Sequence, residues 1–306
     1  MADQLIRATA ADGGIRIVGV VTTSLVEEAR KRHQLSYVGT AALGRAMSAG
    51  LLLVSSMKRP ESRINLRIRG DGPLGGVLVD AGLDGTVRGY VDKPDVELPP
   101  TEQGKLNVGA AIGSNGYLYV VRDVGYGYPY SSTVELVSGE IGEDLTYYLA
   151  TSEQTPSALA LGVFVDAHGV EAAGGLLLQI MPKAARDESL ISLLESRMGT
   201  LSDFTPKLRS NQTLPDIFES LVGDLSLEIL PDAQIEPCFH CPCSYERMLG
   251  ALKMLGVDEL QDMIEKDDGA EATCHFCGEI YHTSSEELAQ LISDIHQERA
   301  EAATTN

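Results

Sequence analysis

Short stretches in which hydrophobic and polar positions alternate predict β-strands in the first 180 residues of the chain. The run 64–68 alternates isoleucine and leucine with polar side chains and stops at a Gly-Asp-Gly-Pro turn. The runs 158–165 and 170–180 flank Asp166-Ala167-His168-Gly169, a turn sequence that predicts a hairpin. The first part of the chain is therefore expected to contain antiparallel sheet.

Two more hairpins are predicted between these runs. An Asp-Gly turn separates 77–79 from 86–91. Asn115-Gly116 is the strongest short hairpin signal in the chain and predicts that 105–112 pairs with 117–122. Because hairpins imply antiparallel pairing, this pattern argues against a doubly wound nucleotide-binding fold.

Apolar positions at helical spacing predict helices over 24–35, 37–57 and 140–152. The second is rich in Gly and Ala and contains Arg45, so we interpret it as a tightly packed buried helix rather than a membrane span. With the predicted hairpins, these helices predict an α+β domain over 1–180.

The segment 181–231 is different, because its apolar residues form two short stripes at helical spacing. The stripes consist of Leu190, Ile191, Leu193, Leu194 and Met198, and of Ile217, Phe218, Leu221 and Val222. Short amphipathic helices need a neighbour that buries their apolar side. Two interpretations remain open: ordinary core helices, or an amphipathic helical linker that folds conditionally.

A small C-terminal domain is predicted over 232–306. Helices are expected over 244–255 and 259–266, and Ser284 with Glu287 has the spacing of a capping box for a last helix. So small a unit with few aromatic residues needs a further source of stability, such as a metal.

Charge and cysteine usage narrow the function. The formal net charge is −20, and from residue 232 onward sixteen Asp or Glu stand against four Lys or Arg, a net of −12. This balance argues against nucleic-acid and membrane-surface partners. The N-terminal residues show no signal-peptide pattern, and all five cysteines follow residue 237, which favours metal or redox chemistry in a reducing compartment, the cytoplasm.

Four of these cysteines form two close pairs, Cys241-Pro242-Cys243 and Cys274-His275-Phe276-Cys277. Zinc prefers thiolates in tetrahedral array, and two such pairs can hold one Zn²⁺ per chain. A second ligand set uses Cys238 and Cys241 with Cys274 and Cys277 and leaves Cys243 spare. His240, His275 and His282 are nearby substitute ligands, although four thiols already complete the site.

The same thiols can also be oxidised. Thiolates are the form that reacts with peroxide, and losing one or two ligands weakens metal binding sharply. A disulfide between Cys274 and Cys277 is geometrically easy, whereas one between Cys241 and Cys243 closes a small ring and should be readily reduced. Metal loss would remove about 10 kcal/mol from a domain whose total stability is about 5–15 kcal/mol. The C-terminal unit should then unfold.

At these cysteine pairs the chain resembles the redox-regulated 33 kDa heat-shock chaperone (holdase) family, whose hallmark is CxC followed at a distance by CxxC. The resemblance extends to the N-terminal part of the chain. The matching stretches there are 69–74 (RGDGPL), 87–90 (VRGY) and 152–157 (SEQTPS). It therefore spans nearly the full length.

This resemblance implies an α+β N-terminal domain with antiparallel sheet and helices, a helical linker and a small C-terminal zinc-binding domain. It implies an inactive reduced form with zinc on Cys241, Cys243, Cys274 and Cys277. It also implies an oxidised form, with disulfides Cys241–Cys243 and Cys274–Cys277, that forms a homodimer and holds unfolded or oxidatively damaged client proteins without ATP. Cys238 is an extra thiol beside the four of the family.

We hypothesise that the zinc unit packs over the linker stripes and that its unfolding exposes a client-binding surface. The residues of this surface would be Leu190, Ile191, Leu194, Ile217, Phe218 and Leu221. Two other functions were weighed. A zinc deaminase lacks the upstream H-x-E element, so no enzyme activity is expected. A structural zinc-ribbon regulatory or interaction protein is the remaining alternative.

Overall fold

The computed structural model describes residues 2–198, 204–230 and 234–304. They form two compact units, the first ending at His240 and the second beginning at Cys241. The helices of the predicted linker belong to the first unit. Its architecture is α+β with antiparallel sheets, as the sequence predicted.

The first sheet has the strand order β10-β1-β2-β9-β8, and its pairs are antiparallel. Its strands are β1 (Gln4–Ala10), β2 (Ile15–Val21), β8 (Ser157–Asp166), β9 (Gly169–Ile180) and the short β10 (Glu228–Ile229). The predicted hairpin around residues 166–169 is confirmed as β8–β9. Nearly every side chain of β2 and β9 is buried, because elements cover both faces of this sheet.

The second sheet has the order β11-β5-β4-β3-β6-β7. Its strands are β3 (Arg63–Arg69), β4 (Gly76–Gly82), β5 (Thr86–Val91), β6 (Tyr117–Asp123), β7 (Tyr130–Glu135) and β11 (Cys238–Phe239). All pairs are antiparallel except β11–β5, which is parallel. β3 alternates buried with more exposed side chains, as its apolar-polar period predicted.

The hairpin predicted at Asn115-Gly116 is wrong. Residues Val108–Ile112 form a short helix, α3, and β6 pairs with β3 and β7 instead. The Asn-Gly step lies in a tight loop whose geometry is set by neighbouring backbone. A Cβ atom on Gly116 would lie 2.0 Å from the carbonyl oxygen of Arg69. This glycine is thus explained by a close backbone approach rather than by a two-residue turn.

The first unit also contains three longer helices, which are α1 (Thr23–His33), α2 (Tyr37–Val54) and α4 (Ile141–Thr151). The Asp3 carboxylate accepts hydrogen bonds from the Ser24 and Leu25 backbone N–H groups at the start of α1. α2 packs between the two sheets, against β4 on one side and β8 and β9 on the other. By length and composition α2 could cross a membrane, but 89% of it is buried inside the protein. It is a core helix, as its many small residues predicted.

The remaining helices of this unit cover the other face of the first sheet. They are α5 (Glu188–Met198), α6 (Phe204–Arg209) and α7 (Leu214–Val222). Thr213 and Asp216 form a capping box at the start of α7. Their apolar residues share one core cluster with side chains of β1, β2 and β9. The first sheet therefore covers Leu190, Ile191 and Leu194 of the first stripe and all four residues of the second, whereas the zinc unit was expected to do so. The Met198 side chain lies outside the described part of the structure.

Close packing at Gly19 holds α7 against β2. A Cβ atom at this position would lie 2.8 Å from the Phe218 ring and 2.9 Å from a methyl carbon of Leu214. Phe218 itself is fully buried. Only glycine leaves room for the ring, so this strand position determines how closely the helix can approach.

The second unit contains three helices and one hairpin: α8 (Tyr245–Lys253), α9 (Val257–Asp267), β12 (Gly269–Thr273), β13 (Ile280–Ser284) and α10 (Ser285–Thr304). The predicted capping box is confirmed, because the Ser284 N–H and hydroxyl donate to Glu287 and the Ser284 oxygen accepts from the Glu287 N–H. Its buried apolar core is small and, among the described residues, consists of Met248, Leu252, Leu260, Leu288, Leu291 and Ile295.

We predict that Gly19→Leu displaces α7 from the first sheet. The larger side chain overlaps Phe218, and the packed strand cannot move away from it. Tryptic cleavage at Lys207 and Arg209 in α6 should become faster under reducing conditions. Gly142→Ala is the matched control, since a Cβ there meets its nearest atom only at 4.0 Å. An unchanged cleavage rate in Gly19→Leu would contradict the prediction.

Candidate metal and redox centre

Four cysteine sulfurs lie together at one end of the second unit. The Sγ atoms of Cys241, Cys243, Cys274 and Cys277 all lie within 4.8 Å of one another. Cys243 Sγ is 3.3 Å from Cys277 Sγ, and Cys241 Sγ is 3.8 Å from Cys274 Sγ. All five cysteines of the chain are free thiols in this structure. Sulfurs of the two sequence pairs therefore meet across the site.

The second pair lies on the loop of the β12–β13 hairpin. The Cys274 carbonyl accepts from the N–H groups of Cys277 at 3.3 Å and of Gly278 at 2.8 Å. The Cys274 N–H donates to the Glu279 carbonyl at 2.8 Å, which closes the loop. Gly278 has φ +74°, a left-handed conformation that favours glycine. The loop turns so tightly that both sulfurs point the same way.

The first pair immediately precedes α8. Ser244 caps this helix by accepting from the Arg247 N–H at 3.3 Å. The Arg247 guanidinium also donates to the Pro242 carbonyl at 3.0 Å, which fixes the residue between the two cysteines. The start of a helix thus orients one pair and a hairpin loop orients the other.

Burial works against ionisation of these thiols. It raises the pKa of Cys274 and Cys277, although the N–H groups of Phe276 and Glu279 respectively oppose the shift. Neighbouring thiols raise the pKa of Cys277 further. Four thiolates at these distances would repel one another, so a cation is needed to stabilise them. The donor set is consequently suited to a metal that takes sulfur ligands.

The spacing fits zinc. Four thiolates at about 2.3 Å from one Zn²⁺ in a tetrahedron place their sulfurs about 3.8 Å apart. The separations of 3.3 and 3.8 Å, with an upper limit of 4.8 Å, bracket that value. Within the described part of the chain this sulfur group contains no histidine or carboxylate. The residues present therefore match a closed site of the structural type.

Tyr281 touches the cluster from β13. Its hydroxyl donates a hydrogen bond to Cys243 Sγ at 3.2 Å. This contact and burial raise the pKa of Tyr281, so the hydroxyl keeps its proton and remains a donor. No sequence motif identifies this residue as part of the site. Its position four residues after Cys277 is the only indication. Hydrogen bonds to ligand atoms commonly orient metal ligands and tune their basicity.

The other candidate ligands, Cys238 and the nearby histidines, do not belong to the four-sulfur group. Cys238 is exposed in the first unit, where it begins β11, and burial together with nearby carboxylates raises the pKa of its thiol. The His240 N–H donates to the Val87 carbonyl at 3.0 Å. His282 faces Glu271 across the β12–β13 pair, with 3.5 Å between ring nitrogen and carboxylate. The group that the structure gathers is the CxC and CxxC set.

A family model described as Hsp33 protein matches residues 3–284. The chain belongs to the Hsp33 family. It is 74% identical over 298 residues to the 33 kDa chaperonin of Rippkaea orientalis, covering 97% of this chain and 99% of that protein. It is 71% identical over 301 residues to the 33 kDa chaperonin of Synechocystis sp., covering 98% and 99%.

A solved structure is also similar. It is the crystal structure of the 33 kDa chaperonin, a heat shock protein 33 homologue, from Thermotoga maritima. The TM-score is 0.86 at 38% identity, and the match covers 96% of this chain and 98% of that one. These findings confirm the resemblance noted at the cysteine pairs. They make the chain a member of a chaperone family, with a cysteine cluster that could hold a metal.

We predict that Cys243→Ser abolishes tight zinc binding and that Cys238→Ser preserves it. Cys243 lies in the four-sulfur group, whereas Cys238 begins β11 in the first unit. Zinc content after purification, measured with a colorimetric chelator, checks both variants. The reverse result would favour the alternative ribbon set with Cys238 and Cys241.

We predict that Tyr281→Phe weakens zinc binding by about 10- to 100-fold, the usual cost of losing a hydrogen bond to a metal ligand. The change removes only the hydroxyl that donates to Cys243, so the hairpin should remain folded. Competition with a chelator of known affinity measures the effect. Tyr147→Phe is the control, because it removes a hydroxyl from a half-exposed tyrosine of α4. Equal zinc affinity in both variants would refute the assignment.

Proposed function

We propose that this protein is a redox-regulated, ATP-independent holdase that binds unfolding proteins under oxidative stress. In the reduced state Cys241, Cys243, Cys274 and Cys277 hold one zinc ion per chain, and the protein is inactive. Oxidation joins these cysteines in disulfides, releases the metal and exposes a client-binding surface. The observation that carries this proposal is the gathering of four free sulfurs in a small unit with a small apolar core.

The reduced state depends on charge balance. When bound, zinc supplies the positive charge that keeps four neighbouring thiols ionised. Arg247 and Ser244 hold the CxC segment in place, and Tyr281 donates to Cys243. The hairpin loop aims Cys274 and Cys277 at the same point. These contacts prepare the unit to bind metal without a large rearrangement.

Oxidation uses a peroxide as the electron acceptor. One thiolate of a pair attacks the O–O bond, becomes a sulfenic acid and releases hydroxide. The second thiolate displaces hydroxide from the sulfenic sulfur and forms the S–S bond. The sum is two thiolates and one hydrogen peroxide giving one disulfide and two hydroxide ions. The proposed pairs are Cys241 with Cys243 and Cys274 with Cys277.

Loss of the four thiolates removes the main stabilisation of the second unit. Metal binding contributes on the order of 10 kcal/mol to small zinc domains. Among the described residues, a core of six buried apolar side chains cannot replace that amount. The second unit is therefore expected to unfold when its cysteines are oxidised.

Exposure of the linker helices requires one more step, because the first sheet buries them. The chain after α7 continues through β10, which pairs with β1, and through β11, which pairs with β5, and then reaches Cys241. Both pairings are only two residues long. We propose that unfolding of the second unit detaches these short strands and loosens α5 and α7 in turn.

The proposed client-binding surface consists of the apolar faces of α5 and α7 and the sheet that they cover. Leu190, Ile191, Leu194, Ile217, Phe218 and Leu221 supply it. Exposed apolar surface of this kind binds partly unfolded chains. The net charge of −20 would keep the resulting complexes soluble.

Three further properties belong to the proposal. The oxidised protein forms a homodimer, since newly exposed apolar surface can also pair with a second copy. It acts in the cytoplasm, where thiols are reduced in the absence of stress. It has no enzymatic activity, in keeping with relatives that are named chaperonins.

Light scattering from a client that unfolds on heating tests the switch. Peroxide-treated protein should suppress scattering, and reduced zinc-loaded protein should not. Gly19→Leu should suppress it partly even when reduced, because the displaced α7 exposes its apolar face. Gly142→Ala provides the control. Equal protection by reduced and oxidised wild-type protein would remove the switch, and an inactive Gly19→Leu would exclude α7 from the client-binding surface.

A further inference from the structure

The outer face of the second sheet is the broadest open strand surface of the first unit. α2 covers the inner face of this sheet, and elements on both sides cover the first sheet. Side chains that point outward from β3, β4, β5 and β6 are half-buried or exposed, while their neighbours in sequence are buried. We call the part of this surface formed by Arg67, Arg69, Leu78, Tyr90, Tyr117 and Tyr119 the Arg-Tyr face.

Strand register places these residues side by side. Arg67 pairs with Leu78 of β4 on one side and with Tyr119 of β6 on the other. Arg69 pairs with Tyr117 in the next outward row. Side chains directly opposite on an antiparallel pair lie close enough to act on one ligand together. Two guanidinium groups thus lie beside two aromatic rings.

The two arginines of this face have no protein partner. Within the described residues neither Arg67 nor Arg69 forms an ion pair or a hydrogen bond through its side chain. By contrast, Arg63 and Arg88 on the same sheet both bind the Asp80 carboxylate, at 3.0 and 3.1 Å. The Asp80 carboxylate thus binds two arginines of this sheet, whereas Arg67 and Arg69 remain available as cations.

The two tyrosines of this face are half-exposed. Tyr117 is 46% exposed and Tyr119 is 38% exposed, and their ring centroids lie 6.2 Å apart. Tyrosine and arginine are the residues enriched at the energetic centres of protein interfaces. Half-exposed rings lose water on binding at a small cost in side-chain entropy, since two torsion angles fix them.

We propose that the Arg-Tyr face binds an acidic segment of a partner protein. Alternate residues of a strand are about 6.8 Å apart, so Arg67 and Arg69 match carboxylates at positions i and i+2 of an extended chain. Each guanidinium can bind one carboxylate in a bidentate pair of N–H···O hydrogen bonds. Tyr117 and Tyr119 on one side and Leu78 on the other pack against the aliphatic parts of that segment.

Charge favours a protein segment over nucleic acid as the occupant. The net charge of −20 opposes a long polyanion, which extends far beyond two cations. Asp123 ends β6 and Glu135 lies opposite Tyr117 on the edge strand β7, so phosphates along an extended strand would meet carboxylates. A short acidic segment needs only the two arginines and avoids both carboxylates.

This surface is exposed while all five cysteines are free thiols. Its partner therefore binds the reduced protein, before any release of the linker helices. The inference is independent of the proposed holdase switch, because none of its residues lies in the linker helices or the sulfur cluster. It gives the reduced form an interaction of its own.

Fluorescence anisotropy on the full-length reduced protein tests the inference. The probe is a short labelled peptide in which glutamate alternates with threonine, and labelled oligothymidylate serves as the competing polyanion. Arg67→Gln/Arg69→Gln should weaken peptide binding about tenfold or more, which corresponds to about 1.4 kcal/mol or more, because the hydrogen bonds between guanidinium and carboxylate are lost. Tyr117→Thr/Tyr119→Thr, which keeps a residue suited to strands, should weaken it by a smaller factor.

Lys58→Gln/Lys93→Gln is the matched control, since it removes two positive charges from exposed positions outside the face. It should leave peptide binding unchanged, and thermal unfolding should show that all variants are folded. Three results would overturn the inference: no saturable binding of the peptide, an equal loss in the lysine control, or tighter binding of oligothymidylate that the arginine variant abolishes. The last result would assign the face to single-stranded nucleic acid.

Discussion

The structure depends on the mutual requirement between four closely spaced, partly buried sulfurs and a positive charge. Burial raises the pKa of Cys274 and Cys277, so these thiols ionise readily only beside a cation. The second unit has a small apolar core and two supports for the site, a capped helix and a hairpin loop. Under the proposed mechanism the folding of this unit and the chemistry of its sulfurs are one equilibrium, so a reagent that changes the sulfurs would also change the fold.

The first unit, unlike the second, contains two extensive apolar cores. The first sheet is covered on both faces, by α1 and α2 on one side and by α5, α6 and α7 on the other. Two cores separated by one sheet allow one layer of helices to leave while the other stays packed. Gly19 and Phe218 show how closely the outer layer approaches. The proposed release of α5 and α7, in which apolar surface is exposed while the protein stays folded, would use such a division.

The sequence alone predicted several elements of the fold. Alternation at 64–68 and the capping box at Ser284 each identified an element, because the signal is local. The four-sulfur group could also be predicted, since close cysteine pairs have few other uses. Asn115-Gly116 led to a wrong hairpin prediction. In the sequence, a glycine required by close backbone approach cannot be distinguished from a glycine in a hairpin turn. The partner of the linker stripes could not be predicted, since an amphipathic pattern shows which side is buried and not what buries it.

Tyr281 and the Arg-Tyr face were missed for a related reason. Tyr281 lies beside Cys243 because β13 meets the segment that precedes α8, and Arg67 lies beside Tyr119 because of strand register. Residues far apart in sequence become neighbours only when the sheet order is known. The alternation of apolar and polar residues shows only that such side chains point outward. It does not show which of them are neighbours on adjacent strands.

The short parallel strand β11 has a consequence for recovery after stress. The Cys238 N–H donates to Gly85 and the His240 N–H donates to Val87, so the chain is held on the first unit up to the residue before Cys241. If these bonds re-form once oxidant is gone, the first pair of sulfurs starts from a fixed point. The second pair, which follows thirty residues later, then has to close one loop onto that point, and the entropy of closure grows only slowly with loop length. Restoration of the resting form would thus be a local event rather than a second folding of the whole chain.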